Sequence, residues 1–308
     1  MGEFFMSRRK VKFGAIFVAF AIAIVGVNPA IANEKRSKYP LTIVSAGFET
    51  TLAKKPTRII SLSPSATEIL FAIKAGPQVL AVDDNSNFPA EIPKSELSGF
   101  SPNTEAIVAL NPDLVILNKD SAKAESIYRS LTTLKIPVLM EVAAKNLSDV
   151  YAEISIIGRT VDKQETARKL VAEMKQRINK TIKKSRSTTR LKFFHELDNT
   201  LYTATSKTFI GTVYRDLGLI NVADAAAGAD SSGYPQLSAE FLISSNPDII
   251  FLADAQYGET LTSVSARPGW QAISAVKNRR IVELPADIPS RWGPRIADFY
   301  ELVVKSIK

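Results

Sequence analysis

The 308 residues contain one histidine, His195, which stands next to Glu196, and no cysteine at all. A neutral-pH proton relay is therefore confined to His195 and Glu196, and this pair is the one place where an exported enzyme could be built. No Gly-x-Ser-x-Gly elbow accompanies it, and no P-loop, G-x-G-x-x-G or His-x-x-x-His spacing occurs. Without a thiol there is no disulfide, no thiolate nucleophile, no cysteine metal site and no lipid-modified cysteine. Covalent and metal chemistry thus have little to stand on.

Non-covalent capture has more. A binding cleft needs aromatic faces with a few polar anchors. Such residues fall in segments that follow strand-like runs: Asn85, Asn87, Phe88 and Phe100 in the first half, and Tyr202, Tyr234, Arg291, Trp292 and Arg295 in the second. His195, at the end of an apolar run, is a further candidate for ligand contact. Trp270, after Arg267-Pro268-Gly269, reads as core. Glu105 and Glu240 each open a short helix, where the dipole favours a carboxylate. One acidic knob on each half would suit a partner with two basic sockets, a pairing that sets encounter rate and register.

The elements that carry these residues alternate between β-branched runs and helical patterns, which predicts parallel sheets with right-handed crossovers. Ser65 and Glu68 have the spacing of a capping box for a helix at 66–75, and Gly158 reads as the end of a helix that begins at Leu147. Leu191–Leu197 is expected to pair with Leu201–Ala204 through a turn. Thr104-Glu105 followed by Asn111-Pro112-Asp113-Leu114-Val115-Ile116-Leu117 recurs as Ala239-Glu240 followed by Asn246-Pro247-Asp248-Ile249-Ile250-Phe251-Leu252, at a constant offset of 135 residues. The two halves read as copies of one α/β lobe.

Between the copies runs Asp162–Arg186, which holds neither Gly nor Pro and repeats apolar residues at helical spacing. Asp162 and Glu165 offer it a capping box. The predicted fold class is α/β, two Rossmann-like lobes joined by one long interdomain helix. The division expected is 1–32 signal, 39–158 N-terminal lobe, 159–187 linking helix and 188–308 C-terminal lobe.

Arg8, Arg9, Lys10 and Lys12 precede an apolar run from Phe13 to Val27 and the sequence Ala30-Ile31-Ala32. That order is an export signal, cleaved near Asn33 or retained as an anchor. Without residues 1–32 the 39 basic and 31 acidic residues become 35 and 30, so the formal charge of +8 falls to +5. With no basic stripe interleaved with aromatics, a nucleic-acid partner is not expected.

Together, Arg58-Ile59-Ile60-Ser61-Leu62-Ser63-Pro64-Ser65-Ala66-Thr67-Glu68, Glu105 with Asn111-Pro112-Asp113, Tyr234-Pro235-Gln236-Leu237-Ser238 with Glu240, and Pro294-Arg295-Ile296 resemble the periplasmic-binding-protein family that serves ATP-driven importers of cobalamin, ferric siderophores and haem. The resemblance implies a monomeric receptor, not an enzyme, which passes a small molecule to a membrane permease from the periplasmic or extracytoplasmic side. It implies docking of permease arginines by Glu105 and Glu240. It implies no intrinsic cofactor, the ligand itself being metal-containing. The cobalamin-binding branch is most similar in the loops and has cleft aromatics at positions matching Asn85, Phe100, Tyr202 and Tyr234, with Asn85 departing from the pattern. Haem-binding members carry an axial tyrosine where Phe88 stands, so haem would need His195 instead. A siderophore would use Arg291 or Arg295.

Overall fold

The computed structural model describes residues 38–185, 190–226, 232–285 and 287–308; the export signal, its cleavage point and Arg186 lie outside them. The described chain opens with a hairpin, β1 (Leu41–Ser45) and β2 (Phe48–Leu52), paired antiparallel. Its two-residue turn, Ala46 and Gly47, has positive φ at both positions, the conformation whose twist suits a tight hairpin. Ser45 Oγ and Thr50 Oγ1 donate to the carbonyls of Met140 and Val138 and fasten the hairpin to the first lobe.

That lobe follows as β3 (Ile59–Leu62), α1 (Pro64–Ala72), β4 (Val79–Val82), α2 (Thr104–Ala109), β5 (Leu114–Asn118), α3 (Ala124–Thr133), β6 (Val138–Glu141) and α4 (Leu147–Thr160). The long helix is α5 (Gln164–Ser185). The second lobe holds β7 (Lys192–Glu196), α6 (Phe209–Asp216), β8 (Ile220–Asn221), α7 (Ala239–Ser245), β9 (Ile249–Leu252), α8 (Leu261–Ser265), α9 (Ser274–Lys277), β10 (Ile281–Glu283), α10 (Asp287–Ser290) and α11 (Ile296–Ser306). Each lobe has a four-stranded, all-parallel sheet, ordered β4-β3-β5-β6 in one and β8-β7-β9-β10 in the other. Numbered within the lobe, both orders are second, first, third, fourth. The sequence repeat is therefore a repeat of topology.

The shared Asn-Pro-Asp has a mechanical explanation. Asn111 and Asn246 take left-handed conformations, φ 49° and 50°, which stop α2 and α7. The proline cannot continue a helix. Asp113 then accepts the backbone N–H groups of Thr57 and Arg58, and Asp248 accepts that of Lys192, so each carboxylate fixes the start of the lobe's first strand.

One face of each sheet points into a common core and the other into a private one, as the two-residue period of a strand requires. Ile59, Phe193, Ile249 and Phe251 join a single cluster with Ile154 of α4, Ala167, Met174 and Ile178 of α5, and Phe299 and Val303 of α11. Ile60, Leu62, Val115 and Leu117 pack beneath α2 and α3. Phe194, Ile250, Leu252 and Trp270 form the matching private core of the second lobe. Helix α5 packs on α4 and on α11.

Several local expectations are corrected. Ser63, not Ser65, caps α1, and Glu68 faces away from the cap. Asp162 does not stand at the cap position of α5, which begins at Gln164: it is left-handed, φ 58°, and its carboxylate binds Lys38 Nζ at 2.9 Å. Gly158 does not end α4. It lets α4 press on α5, because a Cβ there would lie 2.5 Å from that of Ala167. Leu201–Ala204 adds no strand to β7: the expected turn is closed by Leu197 N donating to the Tyr202 carbonyl at 2.9 Å, and Tyr202 then bridges Gln236.

Candidate functional site

Parallel α/β sheets present ligands at the carboxyl ends of their strands. The segments leaving those ends supply a groove of about 640 Å³. Val142, Ala143, Ala144 and Lys145, which follow β6, make its first-lobe side with Asp120. The second lobe contributes Lys207, Thr208, Phe209, Ile210, Tyr234, Pro289 and Trp292. Thr208 caps α6, its Oγ1 accepting from Gly211 N at 3.0 Å. The helix can begin this close to the loop because residue 211 is glycine: a Cβ would lie 2.0 Å from the Thr205 carbonyl oxygen. Neither Lys145 nor Lys207 has an acidic partner among the described residues. The groove thus combines a ring surface, aliphatic walls and one uncommitted ammonium from each lobe.

Trp292 is anchored below: its Nε1–H donates to Glu141 Oε1 at 3.1 Å. Glu141 ends β6, is fully buried and has its other oxygen unpartnered. Burial pushes its carboxyl up to about 7. Glu153 of α4 is raised as well, by burial and then by Glu141.

Asn85 and Phe100 line a second, smaller concavity of about 410 Å³ with Asp83, Asn118 and Asp120, and Asp120 is common to both hollows. Phe100 is 72% exposed. Phe88 is partly covered by the Arg295 guanidinium, which lies 4.2 Å over its ring. Tyr202 is exposed on the chain segment beside that of Tyr234, since Thr203 N donates to the Pro235 carbonyl, and it lines neither hollow. Lys145, Lys207 and Phe209 were missed by sequence reasoning. Their one signal is position, immediately after β6 or at the start of a helix that follows β7.

Arg291 is corrected as a ligand group. It is buried, and its guanidinium is used up on Glu68 Oε1 (3.1 Å), Asn87 Oδ1 (2.7 Å), the Asn85 carbonyl (2.8 Å) and Asp287 (3.1 Å). Arg295 grips the same Glu68 through Nε at 2.9 Å and Nη2 at 2.5 Å. The segment between β10 and α11 therefore crosses to the first lobe and latches onto α1. The latch ties the lobes by side chains in addition to the common core, and Asp83, raised by burial, sits beside it bound to Ser86.

His195 is corrected too. It is wholly buried in the common core, shares a 2.8 Å hydrogen bond between Nδ1 and the Tyr214 hydroxyl, and exposes no atom to either hollow. Burial lowers its pKa to about 3, so the ring is neutral. Glu196 points to the opposite sheet face, where Arg267 clamps it at 2.7 and 2.5 Å and stacks on Trp270. The two residues do not converge, and the proton relay has no geometry.

Glu105 and Glu240 lie outside the groove, exposed, each at the second position of its helix. Asn103 and Ser238 supply the caps, so neither glutamate is needed for that task. Backbone and Ser238 hydrogen bonds hold the Glu240 carboxyl below its ordinary value.

Residues 59–288 match the family described as periplasmic binding protein. An uncharacterized ABC transporter substrate-binding lipoprotein, YvrC of Bacillus subtilis, is 32% identical over 98% of each chain. Among solved structures, a possible iron-binding periplasmic solute-binding protein from Staphylococcus epidermidis is 27% identical with a TM-score of 0.70, over 82% of this chain and 99% of that one. The vitamin B12 binding protein BtuF of Vibrio cholerae is 25% identical with a TM-score of 0.66, over 82% and 96%.

Proposed function

Since this chain belongs to the periplasmic binding protein family, we propose that it is the substrate-binding receptor of an ATP-driven importer, taking up a corrinoid, cobalamin-like ligand between its lobes. The observation that carries the reading is the groove at the strand ends, walled from both lobes and floored by Trp292. Tyr234 in the groove and Phe100 in the neighbouring hollow are 41% and 72% exposed, and these open ring faces suit a broad, flat ligand better than a small ion. The metal would arrive with the ligand. Among the described residues no cluster of three or more metal-ligating His, Asp or Glu side chains occurs.

One observation favours a second reading. Lys145 and Lys207 offer two free ammonium groups to an anionic ferric chelate, in place of the arginines spent in the latch. Haem is the weakest fit, because Phe88 cannot ligate iron and His195 is sealed in the core.

Glu105 and Glu240 are proposed to dock the permease, one per lobe. The export signal expected from the sequence supports a position outside the cytoplasm. The B. subtilis relative is a lipoprotein, but this chain has no cysteine to carry a lipid.

Two tryptophans make the test direct, since Trp270 is in a private core and Trp292 faces the groove. Titration with cyanocobalamin should quench Trp292 fluorescence with one-to-one stoichiometry, and Trp292→Phe should remove the signal. Quenching by ferric citrate or a ferric hydroxamate instead would select the second reading. Silence with all of them would sink the proposal.

A further inference from the structure

A third concavity, of about 440 Å³, lies between the C-terminal half of α5 and the end of α11, far from the carboxyl ends of the strands. Arg177, Lys180, Lys184, Lys305 and Lys308 line it against a single acid, Glu301. From Met174 to Ser185 the helix carries five cations and no anion. Arg177 accounts for both acids of α11, pairing with Asp298 at 2.6 Å and Glu301 at 3.0 Å. Lys180, Lys305 and Lys308 have no acidic partner among the described residues.

Folding alone does not call for this. Cations in the last turn gain from the helix dipole, but Lys180 lies outside that turn and repels Lys184 one turn on. Lys38 is bonded to Asp162 and Gln164 at the first turn of α5, and Arg177, where that helix enters the basic groove, stands about 20 Å further along it. The apolar run of the sequence ends at Val27, eleven residues before Lys38. Were that run retained as an anchor, this short stretch of sequence would tether the receptor to the bilayer.

We propose that the groove between α5 and α11 is a docking surface for an anionic phospholipid bilayer, on which the receptor rests between deliveries. Lysines within a Debye length of such a surface are each attracted by an amount that corresponds to roughly a five-fold change in partitioning. The groove lies where α5 and α11 end and β7 and β10 begin, the pole of the second lobe opposite its ligand groove. Resting there leaves the ligand groove open to solution. Glu240, at the start of α7, is then turned away from the bilayer, so permease docking requires the receptor to lift and turn.

The experiment uses the full chain with phosphatidylcholine vesicles, with and without phosphatidylglycerol, and follows amide hydrogen exchange of residues 174–185 and 296–306. Protection is expected only on the anionic vesicles, lost at high salt, and reduced about a hundred-fold in affinity by Lys180→Gln, Lys305→Gln and Lys308→Gln together. An unchanged melting temperature and ligand titration would show that the triple variant is folded. Equal protection on neutral vesicles, or protection that survives the triple variant, would overturn the proposal. So would competition by soluble polyphosphate as strong as that of the vesicles, which would mark a general polyanion site.

Discussion

The two lobes share a strand order, an Asn-Pro-Asp that stops one helix and fixes one strand, and a glutamate at the second position of a short helix. They differ at the strand ends. The first lobe leaves β6 with an exposed Val142 and a fully buried Glu141, and opens Phe88 and Phe100 to solvent. The second closes β7 with a neutral histidine and a glutamate clamped by Arg267, then sends Arg291, Trp292 and Arg295 across to the first lobe. The repeat is close in the parts that set the backbone and diverges in the parts that line the groove. The second lobe is the one that reaches over.

That asymmetry can be broken most strongly at Glu68. Glu68→Ala takes the shared carboxylate from the buried Arg291 and the half-buried Arg295, leaving Asp287 as their one acidic partner, and it should lower unfolding free energy by about 3 kcal/mol in urea titrations. A change no larger than that of an average surface substitution would show that the crossing is held by packing alone. A smaller effect distinguishes the paired aspartates. Asp113 accepts from two backbone amides and the Thr57 hydroxyl, Asp248 from one backbone amide. Asp113→Ala should therefore cost about 2 kcal/mol and Asp248→Ala about 1 kcal/mol; equal costs would mean that the repeat is more symmetric than its hydrogen bonds.

Glu141 should show itself as a slope. A carboxyl raised from 4.5 to about 7 by burial binds its proton in the folded state over a pH range where the unfolded chain has released it. Its contribution is thus fullest below about 4.5 and is lost as pH rises towards 7 and beyond. Glu141→Gln should flatten the decline in melting temperature between pH 5 and 8 relative to the unmodified chain. Smallest of all is the expected effect of Glu105→Lys with Glu240→Lys: stability within about 0.5 kcal/mol and unchanged ligand affinity, with transport abolished in membranes carrying the permease. Reduced affinity would move these residues into the groove.

The frame was legible because its signals are local. Strand β9 and the starts of α7 and α11 fall where the apolar runs place them, and Asn246-Pro247-Asp248 marks a stop and a start within three residues. Errors arose where a side chain answers to a distant partner. Glu68 has capping-box spacing with Ser65, yet it is bound by arginines 223 and 227 residues away. Gly158 reads as a terminator, but its missing Cβ is what lets two helices touch. The rim was half legible: aromatics after strands were visible as a class, while nothing local separates Tyr234, which faces the groove, from His195, which a tyrosine on α6 draws into the core.

The common core has a thermodynamic consequence. Chains built from duplicated modules often melt module by module, since each repeat keeps its own interior. Here one apolar cluster runs from Ile59 through α4, α5 and α11 to Phe251, so neither half can lose its fold without baring the other's inner face. Calorimetry should accordingly give a single endotherm whose van't Hoff and calorimetric enthalpies agree. Severed between α4 and α5, the halves would not be two small proteins but two incomplete ones.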